Sequence, residues 1–154
     1  MTARAPTSAP ERLRGLHVLS DDDPRWKHPP LEQAAAACGG GASVVQLRAK
    51  HATDREALAW ARPIRRLTRD AGALFLMNDR FDLALLCEAD GVHLGQDDLA
   101  PARIPGALRA RLRIGRSTHT LEQARRACAE PIDYLAFGPL FGTRSKDSEY
   151  DARG

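Results

Sequence analysis

The stretch LFLMNDRFDLALLCEADGVHLGQDD, residues 74–98, decides how this chain folds. The apolar run at 74–77 predicts a buried strand, and the polar NDR that follows ends it. A helical patch comes next, and a second short strand at 91–94 runs into the polar QDD. Two parallel strands joined by a helix have their carboxyl ends at the same edge of the sheet. We therefore expect Asp79 and Asp98 to lie close together at one rim.

This pair of aspartates predicts a metal site. Two ionised carboxylates held at one rim repel each other unless a cation lies between them. Carboxylate oxygens are hard ligands, and Mg²⁺ usually takes one or two of them together with water and phosphate oxygens. We therefore expect Asp79 and Asp98 to bind Mg²⁺.

Composition and charge exclude several classes of protein. The chain has 23 Lys+Arg and 20 Asp+Glu, and its net charge of +3 is too small to indicate nucleic-acid binding. No apolar run approaches the roughly 20 residues of a membrane span. The three cysteines are odd in number and far apart, which is typical of a protein of the reducing cytoplasm. Residues 1–14 lack the apolar segment of a secretory signal, so we interpret them as a disordered tail.

The remainder of the chain repeats the strand–helix pattern. Predicted strands begin at about residues 16, 43, 74, 91, 113 and 134, with helices between nearly all of them. One helix begins at a capping box, Thr53 with Glu56, and a short one runs from Pro101 to about Ala110. Strict alternation of this kind predicts a parallel sheet. Each predicted strand ends in polar residues, which favours a barrel because a barrel gathers residues from many strand ends at one rim.

Basic and hydroxyl side chains follow other predicted strand ends. Arg48 and Lys50 leave the second strand together, and Lys146 lies in the loop after the sixth. Cations and carboxylates on one rim suggest an anionic ligand that carries a metal, such as a diphosphate. Solvated ion pairs across the rim are the alternative that spacing alone leaves open. The neutral side chains that would add donors to phosphate oxygens are Ser117, Thr143 and Ser145.

Four further polar groups receive a structural interpretation. His93 lies inside a predicted strand and is interpreted as a packing residue, and Asp90 as a local cap or ion-pair partner. His119 is expected to bond the backbone near a strand end, with a proton-carrying role as the alternative. The run Asp21–Asp23 is expected to be a solvated loop rather than a second set of metal ligands.

Five segments, in this order and at suitable spacing, resemble thiamine phosphate synthase. They are VQLRAK (45–50), NDRFD (78–82), ADGVHLGQDD (89–98), GRSTH (115–119) and FGPLFGT (137–143). The related thiazole tautomerases share the fold and part of the last two segments. The first two segments favour the synthase.

The resemblance implies a TIM-type (β/α)8 barrel that joins hydroxymethylpyrimidine diphosphate to hydroxyethylthiazole phosphate. The products would be thiamine phosphate and pyrophosphate, and the cofactor Mg²⁺, held by Asp79 and Asp98. By position, the residues that match the binding site for the pyrimidine diphosphate are Gln46, Arg48, Lys50, Asn78, Ser117 and Lys146, and those that match the contacts to the thiazole phosphate are Thr143 and Ser145. Among these, Arg48, Lys50, Ser117 and Lys146 would assist departure of the diphosphate.

The length of the chain departs from a full barrel. Such barrels need about 200–250 residues, whereas this chain has 154. We therefore expect residues 15–154 to form an incomplete barrel of about six strands, shortened at its carboxyl end. Three functions stay open: the synthase, a thiazole tautomerase-like isomerase that depends on His119, and an inactive fragment that binds phosphate. The partners would be small-molecule substrates, and a homo-oligomer remains an option.

Overall fold

Six short strands alternate with helices in the computed structural model, which describes residues 13–141. The strands are β1 (His17–Asp21), β2 (Val44–Arg48), β3 (Leu74–Asn78), β4 (Gly91–Leu94), β5 (Arg113–Thr118) and β6 (Tyr134–Phe137). The helices are α1 (Pro30–Gly39), α2 (Asp54–Asp70), α3 (Phe81–Leu86), α4 (Gly106–Arg109) and α5 (Leu121–Ala127), with a 3-10 turn at Pro101–Arg103.

The six strands form one parallel sheet in the order of the chain. Each strand pairs with the next, from β1 with β2 to β5 with β6. This order, without a switch point, is that of a barrel wall rather than of a doubly wound sheet. The α/β class and the six parallel strands of an incomplete barrel are thus confirmed. Among the described residues, β1 and β6 form the two edges.

The helices cover only one face of the sheet. Val45, Leu47, Phe75 and Met77 point to that face and pack against apolar residues of the helices. The opposite face carries the alternate residues of the same strands, since neighbouring side chains of a strand point in opposite directions. It holds a small apolar cluster of Val44, Leu74 and Leu76 with the ring of Tyr134 against it. This second face is the inside of the barrel wall.

The predicted capping box begins the longest helix. The hydroxyl of Thr53 accepts a hydrogen bond from the backbone N–H of Glu56, and the Glu56 carboxylate accepts one from the backbone N–H of Thr53 at 2.8 Å. Both contacts satisfy donors that the first turn of a helix leaves unpaired.

The predicted helix from Pro101 to Ala110 is wrong as a single element. The segment contains the 3-10 turn, an extended residue and the short helix α4. Ile104 has φ −72° and ψ 124° because it precedes Pro105, whose ring disfavours a helical conformation at the preceding residue.

Two sets of predictions fall wholly or mostly outside the described residues. The amino-terminal tail was predicted for residues 1–14, of which only the last two are described. The candidate ligand contacts Thr143, Ser145 and Lys146 also lie outside. Between residues 13 and 141, no helix is both long and apolar enough to cross a bilayer.

Candidate active site

The two predicted carboxylates meet at the carboxyl ends of the strands. The carboxyl group of Asp98 lies beside that of Asp79 and accepts a hydrogen bond from the backbone N–H of Gly95 at 2.6 Å. Burial raises the pKa of Asp98, and the neighbouring carboxyl of Asp79 raises it further. Two adjoining carboxylates repel each other unless a cation lies beside them.

This pair fits Mg²⁺. A divalent cation would remove the repulsion between the two carboxylates and favour the ionised form of Asp98. Among the described residues, no group of three or more His, Cys, Asp or Glu side chains is placed to hold a metal. Two carboxylates alone suit Mg²⁺, which completes its coordination with water and substrate phosphates.

Asp79 has a left-handed backbone conformation, with φ 63°. Its N–H donates to the carbonyl of His93 at 2.8 Å, and the N–H of Arg80 donates to the carbonyl of Asn78 at 2.7 Å. Residues other than glycine rarely adopt this conformation, although aspartate tolerates it better than most, and it costs about 1–3 kcal/mol. Strain of this kind concentrates at functional sites, where the surrounding structure holds it in place.

A lysine lies directly against this pair. The ammonium of Lys50 forms an ion pair with the carboxylate of Asp79. The Lys50 side chain is 46% exposed and that of Asp79 18%, so the ion pair lies at the solvent edge of the rim. The predicted approach of a basic side chain from the second strand to the acidic rim is therefore present.

The run Asp21–Asp23 is not the solvated loop that was expected. Asp21 is buried and its carboxylate accepts a hydrogen bond from Arg48 at 2.8 Å. Asp22 accepts hydrogen bonds from the backbone N–H groups of Lys50, His51 and Ala52 at 2.7–2.9 Å. The first carboxylate compensates the charge of Arg48, and the second fixes the loop that carries Lys50.

An amide pair lines the inside of the barrel next to the carboxylates. The Nε2 group of Gln46 donates to Oδ1 of Asn78 at 2.6 Å, and Nε2 of His17 lies 3.0 Å from Oε1 of Gln46. Gln46 is only 2% exposed. With its oxygen engaged, Asn78 still presents amide N–H groups, which suit a ligand rich in acceptors.

Ser117 belongs to a second group inside the barrel that sequence reasoning missed. Its hydroxyl lies 2.8 Å from Nε2 of His93, and Nδ1 of His93 lies 2.9 Å from the hydroxyl of Tyr134. His93 is buried, as expected for a packing residue. It also lies within hydrogen-bond distance of Ser117, which is a residue predicted to contact the ligand. Gly115 was the available signal, because a glycine inside a strand often marks the close approach of another group.

The loop that carries Asp98 is held by β5. The guanidinium of Arg116 donates to the carbonyl of Gly95 at 2.5 Å, and the amide of Gln96 donates to the carbonyl of Ser117 at 2.5 Å. These contacts fix the loop after β4, whose Gly95 N–H in turn binds Asp98.

The remaining predicted residues have structural partners. Asp90 pairs with Arg65 at 2.8 Å and accepts the backbone N–H of Phe75 at 2.9 Å, as predicted for an ion-pair partner. Nδ1 of His119 lies 2.6 Å from the carbonyl of Gly138. This contact is the backbone bond that was expected for His119.

These features define a class of protein. It is a parallel barrel wall whose carboxyl rim carries paired carboxylates, a lysine, and amide and hydroxyl donors. Such rims are where (β/α) barrels hold their active sites, often with a phosphate group of the ligand. A sequence model of the family described as thiamine monophosphate synthase matches residues 16–154. The chain belongs to this family.

Individual relatives agree with this assignment. The thiamine-phosphate synthase of Anaeromyxobacter dehalogenans is 46% identical over 143 residues, which cover 93% of this chain and 62% of that protein. The thiamine-phosphate synthase of Chlorobium phaeovibrioides is 50% identical over 133 residues, 86% of this chain and 61% of the relative. The solved structure of a thiamine phosphate pyrophosphorylase from Pyrococcus furiosus has a TM-score of 0.77 and 39% identity, covering 86% of this chain and 63% of that one. This chain therefore spans about three-fifths of the length of these three proteins.

Proposed function

We propose that this chain carries the metal and diphosphate site of a thiamine-phosphate synthase. The reaction would join hydroxymethylpyrimidine diphosphate to hydroxyethylthiazole phosphate, with thiamine phosphate and pyrophosphate as products. The observation that carries the proposal is the contact between Asp79 and Asp98, with Lys50 against it and Ser117 on the neighbouring strand. The family and its relatives support the same reaction.

Binding of the pyrimidine diphosphate would use the inside of the rim. Gln46 and Asn78 lie side by side there and offer amide donors and acceptors to the pyrimidine ring. Asp79 and Asp98 would hold Mg²⁺, which when bound neutralises charge on the diphosphate. Lys50 would leave Asp79 for the same phosphate oxygens, and Ser117 would donate to them. By resemblance, Lys146 adds a further cation, and Thr143 and Ser145 contact the thiazole phosphate.

The proposed reaction depends on stabilising the departing diphosphate more than on a catalytic base. The bond between the pyrimidine methylene carbon and the diphosphate oxygen breaks, and its electron pair departs with pyrophosphate. The thiazole nitrogen then supplies the electron pair of the new carbon–nitrogen bond. Fixed donors and cations stabilise the charge that develops on the departing group, and holding both substrates in one site removes much of the entropic barrier. By resemblance, Arg48 would assist the same step, although in this structure its guanidinium pairs with Asp21.

The direct test is release of pyrophosphate by the full chain when both substrates and Mg²⁺ are present. We expect release to depend on both substrates and to be lost in Asp79→Ala. Asp97→Ala is the matched control, because Asp97 is an exposed carboxylate beside Asp98. Activity of Asp79→Ala equal to that of the unchanged chain would overturn the assignment of the metal site.

A second candidate is binding of the diphosphate without turnover. It needs only the carboxylates, lysine and hydroxyl of the described rim. Calorimetry with Mg²⁺ and pyrophosphate, run beside the activity assay, separates the two: binding without release supports the second candidate. The tautomerase alternative would depend on His119 and would need no diphosphate substrate, so pyrophosphate release that persists in His119→Ala would speak against it.

Cytoplasmic location belongs to the proposal as well. The three cysteines all lie among the described residues and are all free thiols. Free, separated cysteines are typical of a reducing compartment.

A further inference from the structure

A chain of three hydrogen-bonded side chains runs through the inside of the barrel behind Ser117. Tyr134 from β6 contacts Nδ1 of His93 from β4 at 2.9 Å, and Nε2 of His93 contacts the hydroxyl of Ser117 from β5 at 2.8 Å. The imidazole and phenol rings also lie against each other, with centroids 5.5 Å apart. Gly115 makes the arrangement feasible, since a Cβ at this position would lie 2.2 Å from the Tyr134 ring.

The surroundings of Tyr134 decide in which direction the protons point. Its ring packs against the apolar cluster of Val44, Leu74 and Leu76, and its hydroxyl lies within hydrogen-bond distance of Nδ1 of His93, at 2.9 Å. Burial and the charge of Asp133 raise the pKa of Tyr134, so the phenol keeps its proton. A buried donor left without an acceptor costs about 1–3 kcal/mol. The phenol therefore donates to Nδ1 of His93.

A hydrogen bond donated to one ring nitrogen of His93 fixes the role of the other nitrogen. A neutral imidazole has one donor and one acceptor nitrogen. If Nδ1 accepts from Tyr134, Nε2 carries the proton and donates it to the hydroxyl oxygen of Ser117. The hydrogen of that hydroxyl is then directed away from His93.

We propose that His93 is a positioning residue for Ser117, which it orients as a hydrogen-bond donor to the diphosphate. Phosphate oxygens only accept hydrogen bonds, so a serine that spent its proton on His93 would present lone pairs to an anion. The relay from Tyr134 through His93 prevents that orientation before any ligand arrives. Such preorganised donors stabilise developing charge without a reorganisation cost. The inference rests on the proposed function, since it concerns the same diphosphate.

The first test needs no ligand. Nitrogen-15 NMR of the histidine side chains in the full chain distinguishes a protonated Nε2 from a protonated Nδ1. We expect His93 to be the Nε2–H tautomer, with Nδ1 as acceptor, and the Tyr134→Phe variant to lose this preference. The Nδ1–H tautomer in the unchanged chain would overturn the proposal.

The second test measures binding of pyrophosphate with Mg²⁺ by calorimetry. We expect Tyr134→Phe to weaken binding roughly five- to tenfold, in keeping with the loss of one oriented hydrogen bond. In a Ser117→Ala background, the same change should weaken binding less than about twofold, because coupled groups are not additive. Equal losses in both backgrounds would contradict the relay.

Controls separate this inference from the proposed function and from loss of stability. Thr118→Val removes a buried hydroxyl that bonds the carbonyl of Ala136 and belongs to the same strand, but whose side chain points to the other face. This variant should leave binding unchanged. If the unchanged chain fails to bind pyrophosphate, the proposed function fails, while the tautomer of His93 still decides the inference.

Discussion

At the scale of one residue, Asp98 lowers the stability of the metal-free fold when it ionises. Its pKa is raised in the folded chain, first by burial and then by Asp79. The folded chain therefore binds this proton more tightly than the unfolded chain, and the metal-free fold loses stability as pH rises through the raised pKa. A bound cation would abolish the loss, because it favours the ionised form.

This account predicts the behaviour of Asp98→Asn. Asparagine does not ionise, so the metal-free variant should unfold at a higher temperature than the unchanged chain at pH 8, with less difference at pH 4. Mg²⁺ at 100 times its Kd should stabilise the unchanged chain by about 2.7 kcal/mol and the variant far less. Thermal unfolding with and without Mg²⁺ measures both effects. Asp97→Asn should behave like the unchanged chain, and a destabilised Asp98→Asn variant would contradict the raised pKa of Asp98.

Lys50 has two competing partners in the proposed cycle. Without a ligand, its ammonium neutralises Asp79, which is also a proposed ligand of Mg²⁺. Lys50→Met should therefore strengthen binding of Mg²⁺ alone by about threefold and weaken binding of Mg²⁺ with pyrophosphate by at least about tenfold. Calorimetry measures both affinities.

The matched control for this prediction is Lys27→Met, because Lys27 is an exposed lysine in the loop after β1. This change removes the same charge away from the rim and should leave both affinities unchanged. If Lys50→Met weakened binding of Mg²⁺ alone as well as binding of Mg²⁺ with pyrophosphate, the result would contradict competition between Lys50 and Mg²⁺ for Asp79.

At this scale the sequence predicted the acidic residues better than their partners. Asp79 and Asp98 could be predicted because each follows a readable strand, and parallel strands end at one rim. The partner of Arg48 could not be predicted, because it depends on the register that sets Asp21 opposite Arg48. The buried His93 was recognised, but its contacts come from two other strands.

At the scale of elements, β5 and β6 fit together through one glycine. A Cβ at Gly115 would lie 2.2 Å from the Tyr134 ring, which cannot move far within the apolar cluster behind it. Gly115→Ala should reduce the free energy of unfolding by about 1–3 kcal/mol, the usual cost of overpacking. Urea denaturation measures the change.

Gly106 provides the matched control, since a Cβ there meets nothing within 4 Å. Gly106→Ala should be neutral or stabilise the chain by up to about 1 kcal/mol. A similar loss of stability in both variants would show that the Tyr134 contact is not the cause.

Strands were easier to predict than the irregular segment between β4 and β5. The bounds of β4 and β6 agree with the predicted ones, and β4 is buried on both faces, which leaves a continuous apolar signal. The predicted helix from Pro101 is wrong because Pro105 interrupts it. Its effect falls on the preceding residue, Ile104, which takes an extended conformation.

At the scale of the whole molecule, the incomplete barrel wall could be predicted from the alternation of strands and helices. What could not be predicted is how the inside of that wall is filled. Two hydrogen-bonded groups, one around Gln46 and one around His93, lie there beside a small apolar cluster. Their contacts join residues between 24 and 41 positions apart, a distance over which local patterns carry no information.

The most direct measurement is calorimetric binding of pyrophosphate to the full chain, with and without Mg²⁺. The account predicts binding that requires Mg²⁺, falls at least about tenfold in Asp79→Asn, and is retained in Asp97→Asn. Binding of equal strength without the metal, or in Asp79→Asn, would contradict the claim that the paired carboxylates form a metal-dependent diphosphate site.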